Sequence, residues 1–125
     1  MEGKVAIVTG SATGVGAATA VLLAKKGCNV VINYTRSEEE AISTSKLVEE
    51  QNVECIVVKA NVAIDEECKA MVQAAIDKWG RIDYLVNNAG KTKFNPFQNL
   101  DGLSSEDFLD IYSVNVVGPY QMIKA

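Results

Sequence analysis

The chain has no histidine. That removes histidine-based catalytic triads and histidine-ligated metal sites. Cysteine is scarce: Cys28, Cys55 and Cys68 are odd in number, far apart and without metal-ligand spacing. They read as core or half-buried thiols in a reducing compartment, and no metal is expected. No apolar run is long enough to cross a bilayer, and strand pattern begins within a few residues of the N-terminus. Neither a transmembrane segment nor a signal peptide is therefore expected, nor a membrane partner. Basic clusters are lacking and the net charge is −4, which argues against nucleic acid. Internal repeats, low-complexity segments and signs of a second domain are absent too. What is left is a 125-residue chain, 48% hydrophobic and 22% charged. That is the balance of a soluble globular protein with one domain, residues 1–125, and one core, and the reducing compartment makes a cytoplasmic location the expectation.

What is present is organised around the first turn. Lys4 to Val8 is a short apolar run of strand type. Thr9-Gly10-Ser11-Ala12-Thr13-Gly14-Val15-Gly16 follows at once, and a helical stretch begins at Ala17. A strand that stops below a helix N-terminus leaves backbone N–H groups unpaired, and the helix dipole adds positive charge there. Phosphates bind at such a place. Gly10 would make the turn, Gly14 would allow close approach, and Gly16 would let the helix lie close on the strand.

The rest alternates. The first helix ends near Lys25-Lys26-Gly27, with cations at its negative end. Asn29 to Asn33 is a second strand, almost all apolar, as a parallel strand covered on both faces should be. Ser37 and Glu40 read as a capping box for a helix to about Asn52. Val53 to Lys59 is a third strand, and Asp65 is the expected N-cap of the next helix. Cys68, Met71, Val72, Ala75, Ile76 and Trp79 make its buried stripe, and Gly80 ends it. Ile82 to Val86 is a fourth strand, followed by a polar loop from Lys91 to Leu103. Ser104 or Ser105 starts a last helix that runs to the end. The pattern predicts an α/β fold with a doubly wound parallel sheet. The first three strands lie side by side, with the fourth on the far side of the first. Ligands in such sheets bind at the carboxyl ends of the strands where the order reverses. Gly10 to Gly16 and Asn87 to Gly90 flank that point.

The end of the second strand bears on the ligand. An NAD site usually has a carboxylate there for the ribose 2′-hydroxyl. This chain has Asn33-Tyr34-Thr35-Arg36-Ser37 instead. A cation and a hydroxyl at a helix N-terminus suit a 2′-phosphate, so NADP(H) is favoured, with NAD(H) possible.

Thr-Gly-x-x-x-Gly-x-Gly at the first turn and Asn87-Asn88-Ala89-Gly90 after the fourth strand resemble the short-chain dehydrogenase/reductase family. Val31 to Ser37 resemble the same segment of the 3-oxoacyl-carrier-protein reductase and glucose dehydrogenase branches. The resemblance covers the whole chain and implies a Rossmann-type, three-layer α/β/α fold, truncated after the fourth strand and following helix. It implies that Ser11, Thr13 and Val15 join the three glycines at the cofactor. It implies that Asn87 braces the sheet while Asn88, Ala89 and Gly90 line the ribose. Asn61-Val62, where the family commonly has Asp-Val, would meet the adenine. Asn115 would be the active-site asparagine. Pro119 has no N–H to offer the Asn115 carbonyl, so a kink is expected there.

By resemblance the complete protein would pass hydride between NADP(H) and a small carbonyl or alcohol substrate, and would form dimers or tetramers. The serine and Tyr-x-x-x-Lys that carry this chemistry in the family would fall beyond residue 125, so this stretch alone is expected to be inactive. Tyr120 and Lys124 have the spacing but sit on the Asn115 helix, where the family has a packing aromatic. Two other readings stand beside the oxidoreductase: a catalytically inactive nucleotide-binding fragment, and an interaction module that uses its open sheet edge.

Overall fold

The structure is a computed structural model. It describes residues 2–90, 102 and 104–125, except for the side chain of residue 108. The polar loop expected before the last helix lies, apart from Gly102, outside the described residues.

Strand β1, Val5–Val8, is buried at every position because helices cover both of its faces. Around it lie α1 (Gly14–Lys25), β2 (Asn29–Tyr34), α2 (Glu38–Glu49), β3 (Cys55–Lys59), α3 (Asp65–Trp79) and β4 (Tyr84–Val86). The four strands are parallel in the order β3-β2-β1-β4. Successive side chains in a strand point to opposite faces. Val8, Val30 and Ile32 accordingly pack with Ala20, Ala24, Ala41 and Val48 from α1 and α2. Ile7 and Val31 pack on the other face with Cys68, Met71 and Ala75 from α3 and Met122 near the end of the chain. This is the doubly wound, three-layer sheet that the alternating pattern predicts.

The helix ends differ from expectation in two places. Ser37 precedes α2 but makes no side-chain cap; its backbone, at φ −98° and ψ 61°, is not extended. Ser104 has the extended conformation, φ −106° and ψ 169°, and forms a full capping box with Asp107 at the start of α4, Ser105–Tyr112. Asp65 is the first residue of α3 and not its cap, a place taken by Ile64. The turn into α3 is held from upstream: Asn61 Oδ1 accepts from Ala63 N at 2.9 Å, and Asn61 N donates to Glu67 Oε1 at 3.0 Å. In the expected stripe of α3, Cys68, Met71 and Ala75 are buried, whereas Ile76 lies off its axis and is 39% exposed.

The last helix is interrupted. After α4 the chain widens into a π-helical turn, Ser113–Val117, before α5, Gly118–Lys124. Gly118 N donates to the Ser113 carbonyl, five residues back. Pro119 withholds the donor that an α-helix needs at this point, and a π turn absorbs the mismatch. α5 is fastened to the β3–α3 loop. Gln121 Nε2 donates to the Val62 carbonyl at 2.7 Å, and a Cβ on Gly118 would come within 2.6 Å of Val62 Cγ2.

Candidate functional site

A cavity of about 490 Å³ opens at the carboxyl ends of the strands. Its wall takes Gly10, Ala12 and Thr13 from the β1–α1 loop and Tyr34, Thr35, Arg36 and Ser37 from the β2–α2 loop. Ala60, Asn61 and Val62 follow β3, Asn88, Ala89 and Gly90 follow β4, and Asp110 and Val114 face them from the last helical segment. Four loops distant in sequence thus converge where the strand order reverses.

The glycine turn is shaped from inside. Gly10 has φ +62°, and a Cβ there would stand 2.8 Å from the Ala89 Cα. Gly16 is buried, and a Cβ on it would run into the Gly10 carbonyl and the Asn88 amide. Gly14 has φ +60° with open space around it, and Val15 is 75% exposed. These two begin α1 and stand beside the cavity wall. Their N–H groups fall in the first turn, which has no intrahelical carbonyl to bond. Ser11 is turned inward: its hydroxyl donates to the Val8 carbonyl at 2.6 Å and accepts from Asn33 N at 2.9 Å. It shapes the turn from beneath.

The turn after β4 is held by Thr9, a residue whose role the sequence does not reveal. Thr9 Oγ1 accepts from both Asn88 N and Ala89 N at 3.0 Å. Asn88 Nδ2 donates to the Gly10 carbonyl at 3.0 Å, so this amide ties the two turns together. Asn87, expected to brace the sheet, is exposed. The bracing amide of the pair is Asn88. The cause is local: the side chain that points toward β1 is the one whose backbone N–H is caught by Thr9.

Asn33, Asp110 and Val114 complete the wall without having been singled out from sequence. Asn33 left a signal, a carboxamide closing an apolar strand. Asp110 and Val114 depend on how α4 and the π turn after it lie over the sheet, which spacing does not fix. Asn115 sits in the π turn, exposed and just outside the wall. Its Oδ1 is 3.5 Å from the position of a Cβ on Gly90. Tyr120 is 63% exposed and stands away from the wall. Lys124 lies 5.6 Å from its ring centroid and pairs with Asp65 at 3.6 Å.

Among the described wall residues Arg36 carries positive charge and Asp110 negative. The three thiols are free, Cys28 and Cys68 buried and Cys55 half-buried. Burial, with the nearby Glu49 charge, pushes the Cys55 thiol up to about 12. Such a thiol is a packing group and not a nucleophile at neutral pH. Among the described residues no group of three Cys, Asp or Glu side chains converges where a metal could sit. No helix among them is long and apolar enough to cross a membrane.

A family model described as short chain dehydrogenase matches residues 4–125. The chain belongs to the short-chain dehydrogenase family. An uncharacterised oxidoreductase of Methylorubrum extorquens is 38% identical over 118 residues, 94% of this chain and 46% of that protein. Versicolorin reductase 1 of Dothistroma septosporum is 34% identical over 120 residues, 96% of this chain and 44% of that protein. Among solved structures, an NAD⁺-bound xylitol dehydrogenase superposes with a TM-score of 0.89 at 32% identity, covering 99% of this chain and 46% of the other. A variant short-chain dehydrogenase/reductase of Serratia marcescens gives 0.90 at 29% identity, covering 98% and 49%. The chain therefore spans about half the length of these relatives.

Proposed function

We infer that the cavity is a dinucleotide site, and that the protein to which this chain belongs is an NADP(H)-linked oxidoreductase acting on a small carbonyl or alcohol. One observation carries the reading. The glycine turn, the Arg36–Ser37 corner and the Asn88–Gly90 turn share one wall. A pyrophosphate would sit on the first turn of α1, where Gly14, Val15 and Gly16 offer N–H groups and the dipole is positive. Thr13 adds a hydroxyl beside it. The adenosine end would lie between Tyr34 and Asn61–Val62. Arg36 and Ser37 would take a 2′-phosphate in preference to the bare hydroxyl of NAD(H). Asn88, Ala89 and Gly90 would line the nicotinamide-side ribose, with Asn115 beyond them toward the reacting carbonyl. The bound dinucleotide supplies the hydride chemistry. The residues of this chain hold and orient it.

By themselves, residues 1–125 would bind the dinucleotide without turnover, because Tyr120 and Lys124 stand outside the wall. The reading includes a cytoplasmic protein that forms homo-oligomers. In its support, Leu109, Tyr112, Val116, Tyr120 and Ile123 form an apolar stripe along α4 to α5, each at least 50% exposed.

Cofactor choice is tested by titrating NADPH and NADH into the wild type and Arg36→Ala. The wild type should prefer NADPH, and the variant should lose about tenfold of that preference, the order expected of one charge-assisted contact to phosphate. An unchanged ratio removes Arg36 from the site.

A further inference from the structure

One buried side chain joins two of the loops that build the cavity. Asn33, at the end of β2, is only 2% exposed. Its Oδ1 accepts from the Gly10 N–H at 2.9 Å. Its Nδ2 donates to the Ala60 carbonyl at 3.0 Å and, less closely, to the Val58 carbonyl at 3.3 Å. Its backbone is held as well: Asn33 N donates to the Ser11 hydroxyl at 2.9 Å, and its carbonyl accepts from Ser11 N at 3.0 Å. Gly10, Asn33 and Ala60 all border the cavity, yet these amide bonds run into the protein.

A carboxamide is suited to this place because it accepts at one end and donates at the other. Gly10 is in the left-handed region and needs its N–H held to keep the turn. The Ala60 carbonyl lies just past the end of β3, and Nδ2 gives it a donor inside the protein. A leucine would match the shape and satisfy neither side. An ionised aspartate would satisfy Gly10 but turn an oxygen on two carbonyls.

We propose that Asn33 is a positioning residue for nucleotide binding. It sets the glycine turn in the form that receives a pyrophosphate and locks that turn to the loop after β3, which borders the adenosine end. This rests on the reading of the cavity as a dinucleotide site. Asn33 works through Gly10 and Ala60, and loss of its amide loosens both ends of the cleft together.

The test compares the wild type, Asn33→Asp and Asn33→Leu by NADPH titration from about pH 5.5 to 8.5, with circular dichroism at each pH. In Asn33→Asp the buried carboxyl faces two carbonyls, so its titration moves up from the ordinary range. Protonated, it keeps one acceptor and one donor, as asparagine does. Arg36 and Asp110, the charged residues among those described in the wall, are common to all three proteins, so the wild type controls for them.

The expected result is an Asn33→Asp protein that binds within about threefold of wild type at the acid end and weakens by about tenfold or more as pH rises, with its fold intact. Asn33→Leu should bind weakly at every pH, and its Gly10 amide should exchange with solvent faster than the β1 amides. If Asn33→Leu does not fold, the pH profile of Asn33→Asp decides alone. Asn33→Asp tracking the wild type at every pH, or unfolding at the pH where binding is lost, would overturn the proposal. A wild type that does not bind NADPH would sink the dinucleotide reading, and this one with it. A wild type that binds beside an indifferent Asn33→Asp would sink this one alone.

Discussion

Asp83 shows how single residues close the lower end of the sheet. It accepts from Val5 N at 2.8 Å and from both the Nε and an Nη of Arg81 at 2.8 and 2.7 Å. The Arg81 guanidinium first, and then the Val5 amide, hold its carboxyl below the usual range. The folded chain therefore binds this proton less readily than the unfolded chain does. The stability it brings is complete above the ordinary carboxylate range and drains away as pH falls through the lowered one. Asp83→Asn should flatten the fall of the melting temperature as pH drops below the ordinary carboxylate range, which melts at a series of acid pH values would show. At this scale the sequence is only partly legible. Gly10 and Gly16 announce themselves, because only glycine fits a positive φ or a contact that leaves no room for Cβ. Ser11 and Asn33 do not. Whether a short polar side chain faces a ligand or the protein depends on the last few dihedral angles of a strand, and spacing does not record them.

Elements were more legible than their ends. The four strands and their order follow from apolar runs separated by amphipathic stretches, since a parallel strand must be covered on both faces. Caps are harder, because a serine before a helix caps only if its backbone is extended. Ser104 meets that condition and Ser37 does not. Ser104→Ala should therefore cost about 0.5–2 kcal/mol in denaturant unfolding. Ser37→Ala should leave stability within about 0.5 kcal/mol and instead weaken NADPH binding, because that hydroxyl borders the cavity. Equal losses of stability in the two variants would contradict this account of the caps. The interruption at Pro119 was legible as a missing donor, but not its form. A kink and a π turn both dispose of an unmatched carbonyl; here the turn is a π turn, with Gly118 packed close on Val62.

At the scale of the whole molecule, the cleft is legible as a place and less so as a surface. Strand order fixes where four loops meet. The way α4 and the π turn carry Asp110 and Val114 over that point is tertiary packing, which no local pattern specifies. The apolar stripe from Leu109 to Ile123 faces outward, and so does Tyr84 on the edge strand β4. Both invite another chain. Expressed alone, residues 1–125 should associate in analytical ultracentrifugation, and Tyr112→Glu with Val116→Glu should shift the population toward monomer. A monodisperse, cooperatively melting wild-type monomer would contradict that.

The central claim is that four loops at the carboxyl edge receive one dinucleotide, and amide resonances read it most directly. On titration of NADPH into the isotope-labelled chain, the largest shifts should fall on residues 10–16, 34–37, 60–62 and 88–90. The amides around Gly27 and Gly80, at the opposite ends of their helices, should stay still. Shifts scattered over the surface, or none in the glycine turn at saturating NADPH, would contradict the account.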